Sequence, residues 1–417
     1  MANDNIVIVG CGQAAFQLAG FLRDEGYEGE IHLIGEESHL PYQRPPLSKA
    51  FMNGDCEADS LYFQTPEHFT KRQISLRLGE RVTKVDRQAR QAVLGSGERL
   101  GYSHLVLATG ARNRRLPAAQ NEFPWLVNLR GLDDAENMRQ RMNTSQSIVV
   151  IGAGFLGLEF AAVAAKKGRE VTVIEAAPGL MGRAVSAPVS AAFLRHHESF
   201  GVRFRLGVTV ESLTEVAPGR CRISLSDGHV IEAELVVSSI GVLPNVELAE
   251  AAGLQVKNGI VVDQLLSTAD PAISAIGDCA AFTSRFAPDL CRIESVQNAM
   301  DQARCLARRL TGNPAPYDSA PWFWSDQGGL KLQIAGMSHG ADQYLIRGEE
   351  ASLSFSVYRF RDRRLVAVES VARPADHMTA RRLLNAGVEV MPHHLESPDF
   401  DLKTLLATPA SGTPLPA

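Results

Sequence analysis

One local pattern occurs twice in this chain: a β-branched strand, a glycine turn, a helix, a second strand and a closing acid. Near the N-terminus Ile6-Val7-Ile8-Val9 runs into Gly10-Cys11-Gly12-Gln13-Ala14-Ala15. A helix is expected from there to about Glu25, and a strand over Ile31–Ile34 leads to Glu36. The second copy runs Ile148-Val149-Val150-Ile151 into Gly152-Ala153-Gly154-Phe155-Leu156-Gly157. Its helix is expected through Ala165, and Val171–Ile174 leads to Glu175. Such runs suit parallel strands covered on both faces, and their alternation with helices marks an α/β, doubly wound chain.

The duplication predicts two Rossmann-like units and two dinucleotide sites. In each turn the first glycine (Gly10, Gly152) permits the tight bend. The second (Gly12, Gly154) lets backbone approach a pyrophosphate, and the third small residue (Ala15, Gly157) seats helix against strand. The phosphates lie at a helix N-terminus, where free N–H groups and the dipole stabilise negative charge. The acid ~20 positions on accepts hydrogen bonds from a ribose hydroxyl, which is the place of Glu36 and Glu175. A carboxylate at 175 repels a 2′-phosphate and no arginine follows in Ala176-Ala177-Pro178, so the second site is expected to prefer NADH to NADPH.

At 417 residues the chain exceeds one ordinary core. Its formal net charge of −5 leaves no electrostatic footprint for nucleic acid. The apolar tract Ile148 to Ala165 approaches the length of a membrane span. Gly152, Gly154, Gly157 and Glu159 interrupt it, so a buried strand, turn and helix are expected instead. The N-terminus lacks a basic leader, and a cytoplasmic location is expected. Cys11, Cys56, Cys221, Cys279, Cys291 and Cys305 form no CxxC or CxxxxC pair, which argues against structural zinc and against a redox disulfide next to the first glycine motif.

Beyond about Ala320 the pattern changes to strands such as Leu330–Met337, Gln343–Ile346 and Ser352–Phe360, then a helix around His377–Ala386. This predicts a smaller α+β domain. The tail, with its Pro, Ser and Gly, is expected to be disordered.

Three further segments carry a resemblance. Leu105-Val106-Leu107-Ala108-Thr109-Gly110, Gly241-Val242-Leu243-Pro244-Asn245, and Ser267-Thr268 through Ile276-Gly277-Asp278 resemble the ATG, GxxPN and T…GD signatures of two-dinucleotide, glutathione-reductase-like flavoprotein reductases. The stretch Leu40-Pro41-Tyr42-Gln43-Arg44-Pro45-Pro46-Leu47-Ser48-Lys49 stands where disulfide reductases put their cysteines and has none. There, and in Arg292–Ala299, Ala320–Gln327 and Gly157-Leu158-Glu159, the chain is similar to ferredoxin reductases of the putidaredoxin reductase type, which serve cytochrome P450 and aromatic dioxygenase systems. Gln297 departs from the proline common in that family. The order of segments implies an FAD-binding domain over 1–112 and 242–320, an NAD-binding domain over 113–241, a C-terminal α+β domain over 321–405, and a tail over 406–417.

The resemblance implies FAD contacts from Gly12, Ala14, Glu36, Arg44, Lys49, Val82, Ala108, Arg130, Asp278 and Val296, within motifs that add Gly10, Ala15, Thr109, Gly110 and Gly277, and with Trp324 packed near the flavin. It implies NAD contacts from Gly152, Gly154, Leu156, Glu159, Glu175 and Gly241, with Gly157 completing the turn. Lys49 and Glu159 are expected to pair beside the flavin, Lys49 facing negative charge on the reduced ring and Glu159 orienting the nicotinamide amide. Trp322 and Trp324 are candidates to shape the route to a docked partner. NADH gives an electron pair and a 2Fe–2S centre takes single electrons; FAD mediates between them. Arg304, Arg308 and Arg309, at helical spacing, are candidates to steer an acidic 2Fe–2S ferredoxin.

Other readings are an NADH oxidase or peroxidase, which needs a redox cysteine where Tyr42 stands, and a rubredoxin or monodehydroascorbate reductase. A flavin-bound signalling protein similar to apoptosis-inducing factor is a reading of a different class, against which the acidic balance weighs.

Overall fold

A computed structural model describes residues 4–117, 123–182, 184–397 and 400–407. The duplicated pattern folds as two five-stranded parallel sheets. The first runs in the order Ile273–Ala275, His104–Leu107, Asn5–Val9, Glu30–Gly35, Ile74–Leu78. The second runs Arg203–Leu206, Glu170–Glu175, Ser147–Ile151, Leu235–Ser238, Leu126–Val127. Each has a three-stranded antiparallel sheet of its own, Val82–Asp86 with Gln91–Leu94 and Arg99–Gly101 in the first case, Val210–Ala217 with Arg220–Leu225 and Val230–Ala233 in the second.

The two glycine turns are built alike. Gly10 N donates to Ile34 O at 2.7 Å and Gly152 N to Ile174 O at 2.8 Å, which pins each turn to the neighbouring strand. A Cβ on Gly10 would sit 2.2 Å from Ala108 O, and one on Gly152 2.4 Å from Ser239 O; both have positive φ, +117° and +101°. Only glycine passes this close beneath a neighbouring strand end in that conformation. The helices that follow, Gln13–Asp24 and Phe155–Lys166, bury Ala15, Leu18, Ala19 and Leu22, and Phe160, Ala161 and Ala164. The apolar tract Ile148 to Ala165 is thus most of the strand Ser147–Ile151, the turn and a helix, and among the described residues no helix is long and apolar enough to cross a membrane.

The chain crosses between the sheets twice, and the crossings are zipped together. Ala111–Asn113 pairs antiparallel with Val242–Pro244. Thr109 Oγ1 donates to Asn245 O at 2.6 Å and Asn245 Nδ2 returns a bond to Thr109 O at 2.9 Å. The ATG-like and GVLPN segments therefore lock one another.

From Trp322 onward five antiparallel strands follow in the order Trp322–Gln327, Leu330–Gly336, Arg364–Val371, Ser354–Arg361, Gln343–Glu349, with helix Pro374–Asn385 beside them. Disorder expected from 406 is corrected at its start. Leu402–Ala407 form a short 3₁₀ segment, and Leu405 and Leu406 pack on the C-terminal core; residues 408–417 lie outside the described chain.

His104, His197 and His377 are buried. Burial, ahead of nearby positive charge, lowers His104 to about 3 and His377 to about 4, and burial also lowers His197 to about 4. Their unfolded value is ~6.5, so above that pH neither state binds the protons. Below it the unfolded chain takes them up and the native one does not, and stability falls as pH drops from about 6.5 toward 4. Both ring nitrogens of His377 lack a partner. His377→Phe is expected to lessen the acid loss by up to about 1.4 kcal/mol per pH unit, seen in denaturant melts between pH 6.5 and 4.5. An unchanged acid slope would contradict this assignment.

Candidate functional site

The strand ends of both parallel sheets open into one cleft of about 2610 Å³, lined by both glycine turns. A single small-molecule pocket occupies ~300–1,000 Å³, so this space suits two extended ligands meeting end to end. All the site residues expected from the sequence line it except Ala15 and Gly157. Those two build the cradle. Ala15 is fully buried, and a Cβ on Gly157 would lie 2.4 Å from Gly152 O.

At the first turn, Gly12 caps helix Gln13–Asp24 with no side-chain bond to the free N–H groups and no acid in the first turn. A Cβ on Gly12 would meet nothing within 4 Å, so its open face leaves room for a pyrophosphate. Glu36 is largely exposed on the rim, 3.7 Å from Arg81. Behind it lies a polar lattice. Tyr42 donates to Glu37 and accepts from Leu132 N at 2.9 Å; Arg44 pairs with Glu37 and donates to Arg130 O at 2.6 Å. Arg130 then meets Asp278 at 3.1 Å, and Arg292 donates to Asp278 O at 3.1 Å. Tyr42, standing where a disulfide reductase has a cysteine, is thus a latch between the Pro41–Lys49 segment and the start of helix Leu132–Thr144. Burial drives its phenol well above the usual range.

The residues present fit FAD here. Gly277, at φ +77°, passes so near Ala14 that a Cβ would stand 3.0 Å from its methyl, and Asp278 beside it faces the cleft.

At the second turn, Gly154 caps helix Phe155–Lys166, again with free N–H groups and no acid. Glu175 accepts from Ala153 N at 2.7 Å and Ala177 N at 2.8 Å. The carboxylate is held at the turn with lone pairs left for ribose hydroxyls. Leu156 is 41% exposed in the cleft, an apolar surface against which a nucleotide can pack. This arrangement fits NAD.

Where the two ends meet, Glu159 is only 3% exposed. Its Oε2 accepts from Lys49 Nζ and from Ser48 Oγ, both at 2.6 Å, and its Oε1 accepts from Ser325 Oγ at 2.6 Å. Sequence reasoning found the pair and missed both serines. The signal for Ser325 was the alternation Ser325, Gln327 on one face of a strand whose other face carries Trp322 and Trp324. Trp322 and Trp324 both line the cleft with ring centroids 5.6 Å apart, and Arg381 stacks on Trp322 at 4.2 Å.

All six cysteines are free, and Cys11 alone among them lines the cleft. Burial, with help from Glu37, pushes its thiol up to about 12, so it is no nucleophile at neutral pH.

The three arginines do not form one patch. Arg304 stacks on Phe21 at 4.8 Å and Arg308 pairs with Glu25 at 3.4 Å, both exposed. Arg309 turns inward to Ser274 and His104, where its guanidinium satisfies buried polar atoms; it is removed as a docking residue.

Residues 4–303 match the family described as pyridine nucleotide-disulphide oxidoreductase, and residues 322–406 match the reductase C-terminal family. Rhodocoxin reductase of Rhodococcus erythropolis is 46% identical over 403 residues, covering 97% of this chain and 94% of that protein. A ferredoxin reductase for the CYP199A2 system from Rhodopseudomonas palustris superposes with a TM-score of 0.94 at 48% identity, covering 96% of this chain and 99% of that one. The covalent putidaredoxin reductase–putidaredoxin complex gives 0.95 at 40% identity over 99% and 100%. The chain has two glycine cradles, a Lys49–Glu159 pair between them and a tyrosine in place of the thiol, and it belongs to the pyridine nucleotide-disulphide oxidoreductase family, among the ferredoxin reductases of the putidaredoxin reductase type.

Proposed function

We propose that this protein is an NADH-dependent, FAD-containing ferredoxin reductase of the cytoplasm, delivering electrons to a 2Fe–2S ferredoxin that supplies a cytochrome P450 or another oxygenase. The observation that carries this reading is the Lys49–Glu159 pair at 2.6 Å where the two dinucleotide cradles meet, with no thiol pair beside it. Residues 1–112 and 242–320 hold FAD, 113–241 hold NADH, and 321–405 complete the cleft from the C-terminal side.

FAD, when bound, supplies the exchange between a hydride and single electrons. The protein's own work is positional. The turns at Gly12 and Gly154 would anchor two pyrophosphates and direct both dinucleotides into the one cleft. Lys49 places positive charge where negative charge develops, and Glu159 presents a carboxylate to the nicotinamide amide. Trp324 and Trp322 lie between the cleft and Arg381. Glu175 selects a free 2′-hydroxyl.

Purified protein is expected to reduce one 2Fe–2S ferredoxin rapidly from NADH, with turnover falling as salt rises because acidic ferredoxins are steered by charge. Reduction of dyes or oxygen alone, across a panel that includes rubredoxin and peroxide, would refute the ferredoxin assignment. Lys49→Met is expected to slow NADH-driven flavin reduction about 100-fold while NADH still binds; an unaltered rate would contradict the role of Lys49. Glu175→Ala is expected to raise the KM for NADH about tenfold and to narrow the NADH over NADPH preference, measured as the ratio of kcat/KM values; an unchanged ratio would contradict selection by Glu175.

A further inference from the structure

Behind Glu159 lies a chain of buried polar groups that the reading above leaves unused. Ser325, Gln327 and His197 are all fully buried. Ser325 Oγ lies 2.6 Å from Glu159 Oε1, Gln327 Nε2 lies 3.1 Å from Ser325 Oγ, and His197 Nε2 lies 2.9 Å from Gln327 Oε1. The four residues come from three parts of the fold: helix Phe155–Lys166, strand Trp322–Gln327 and helix Ala187–Glu198.

Donor and acceptor capacity fixes the direction of every bond in this chain. An ionised carboxylate only accepts, so Ser325 spends its single proton on Glu159. The Ser325 oxygen then accepts, which requires the amide nitrogen of Gln327 to face it. The same nitrogen points at Met181 Sδ at 3.4 Å. With its nitrogen committed, Gln327 turns its oxygen to His197, and the imidazole must carry its proton on Nε2. Nδ1 is left bare, and it is buried without any partner. Phe200 and Phe204 surround the ring at 5.3 and 6.1 Å, and His196 stands beside it at 6.1 Å, reaching Gln327 O at 3.1 Å. A proton on Nδ1 would find no acceptor, in keeping with a value lowered to about 4 by burial.

We propose that His197, Gln327 and Ser325 form a one-directional hydrogen-bond array, every donor aimed toward Glu159, that positions this carboxylate for the nicotinamide. The inference rests on the reading of Glu159 as the nicotinamide-facing group. Ser325, Gln327 and His197 are positioning residues. They act through Glu159, and the bond from Gln327 to Met181 braces the second glycine turn, because Met181 N donates to Ala153 O at 2.9 Å. The array also ties strand Trp322–Gln327 to the carboxylate of the nicotinamide site.

The test uses the holoprotein and three independent readouts. Ser325→Ala removes the last donor and fills no new space. It is expected to lower the limiting rate of NADH-driven flavin reduction about tenfold, the worth of one bond to a charged group. The dissociation constant for ADP-ribose, which has no nicotinamide, is expected to stay as in the wild type. Gln327→Met, which also loses the bond to Met181, is expected to lower the same limiting rate. Nitrogen NMR of histidine-labelled protein is expected to show His197 neutral and protonated on Nε2 at pH 7. A His197 proton on Nδ1, or a charged ring, would overturn the array. So would an unchanged rate in Ser325→Ala, or an equal loss of ADP-ribose affinity, which marks a general structural defect. A wild-type protein that NADH does not reduce would overturn the functional reading and the role given to Glu159; a reducible wild type with an unaffected Ser325→Ala rate overturns the array alone.

Discussion

A carboxylate that is 3% exposed cannot remain in a protein interior without compensation, and the compensation of Glu159 determines how the three parts of the chain sit around the cleft. Lys49 and Ser48 reach it from the segment after the first nucleotide turn, the helix of the second turn carries it, and Ser325 reaches it from the C-terminal sheet. Lys49 balances the charge, and the hydrogen bonds to both carboxylate oxygens come from the first segment and the C-terminal sheet together. Removing one partner leaves a buried group short of a bond, which costs far more than an exposed ion pair contributes.

The cradles that the buried pair joins are held by geometry of a different kind. Gly10 and Gly152 pass under the ends of neighbouring strands where a Cβ has no room, and Gly157 does the same against its own turn. A Cβ on Gly12 would instead meet nothing within 4 Å, and one on Gly154 would come no nearer than 4.0 Å to Ser239 O. The same residue type thus serves twice, once to bring protein backbone against backbone and once to leave room for a phosphate. Because both turns are anchored to adjacent strands, the two turns are fixed relative to their sheets. The Ala111–Asn113 and Val242–Pro244 ribbon, braced by Thr109 and Asn245, ties the two sheets where the chain crosses between them.

Much of this was legible in the sequence because the nucleotide units are local. Strand, turn, helix and acid fall within about 30 residues, so Gly10 to Glu36 and Gly152 to Glu175 could be read with little error. The pair Lys49–Glu159 was reached through resemblance and not through spacing, since 110 positions separate the two. Ser325, Gln327 and His197 carried no local mark beyond polar residues alternating along one strand, and the partner of that face is 130 residues away. Arg309 was misplaced for a related reason. Helical spacing shows which residues share a face and not whether that face meets water, and here Arg309 turns to Ser274 and His104, which accept its hydrogen bonds. Tyr42 was read as a missing cysteine, and only the structure shows it latching Glu37 to Leu132.

The central claim is that electrons cross this protein through the flavin site alone, with no thiol pair as intermediate. An anaerobic reductive titration of the purified yellow protein, following flavin absorbance against added reductant, tests it most directly. Uptake of two electrons per chain, with the flavin fully bleached at that point, is the expected result. Uptake of four electrons, or a thiolate charge-transfer band during the titration, would show a redox disulfide and contradict the account.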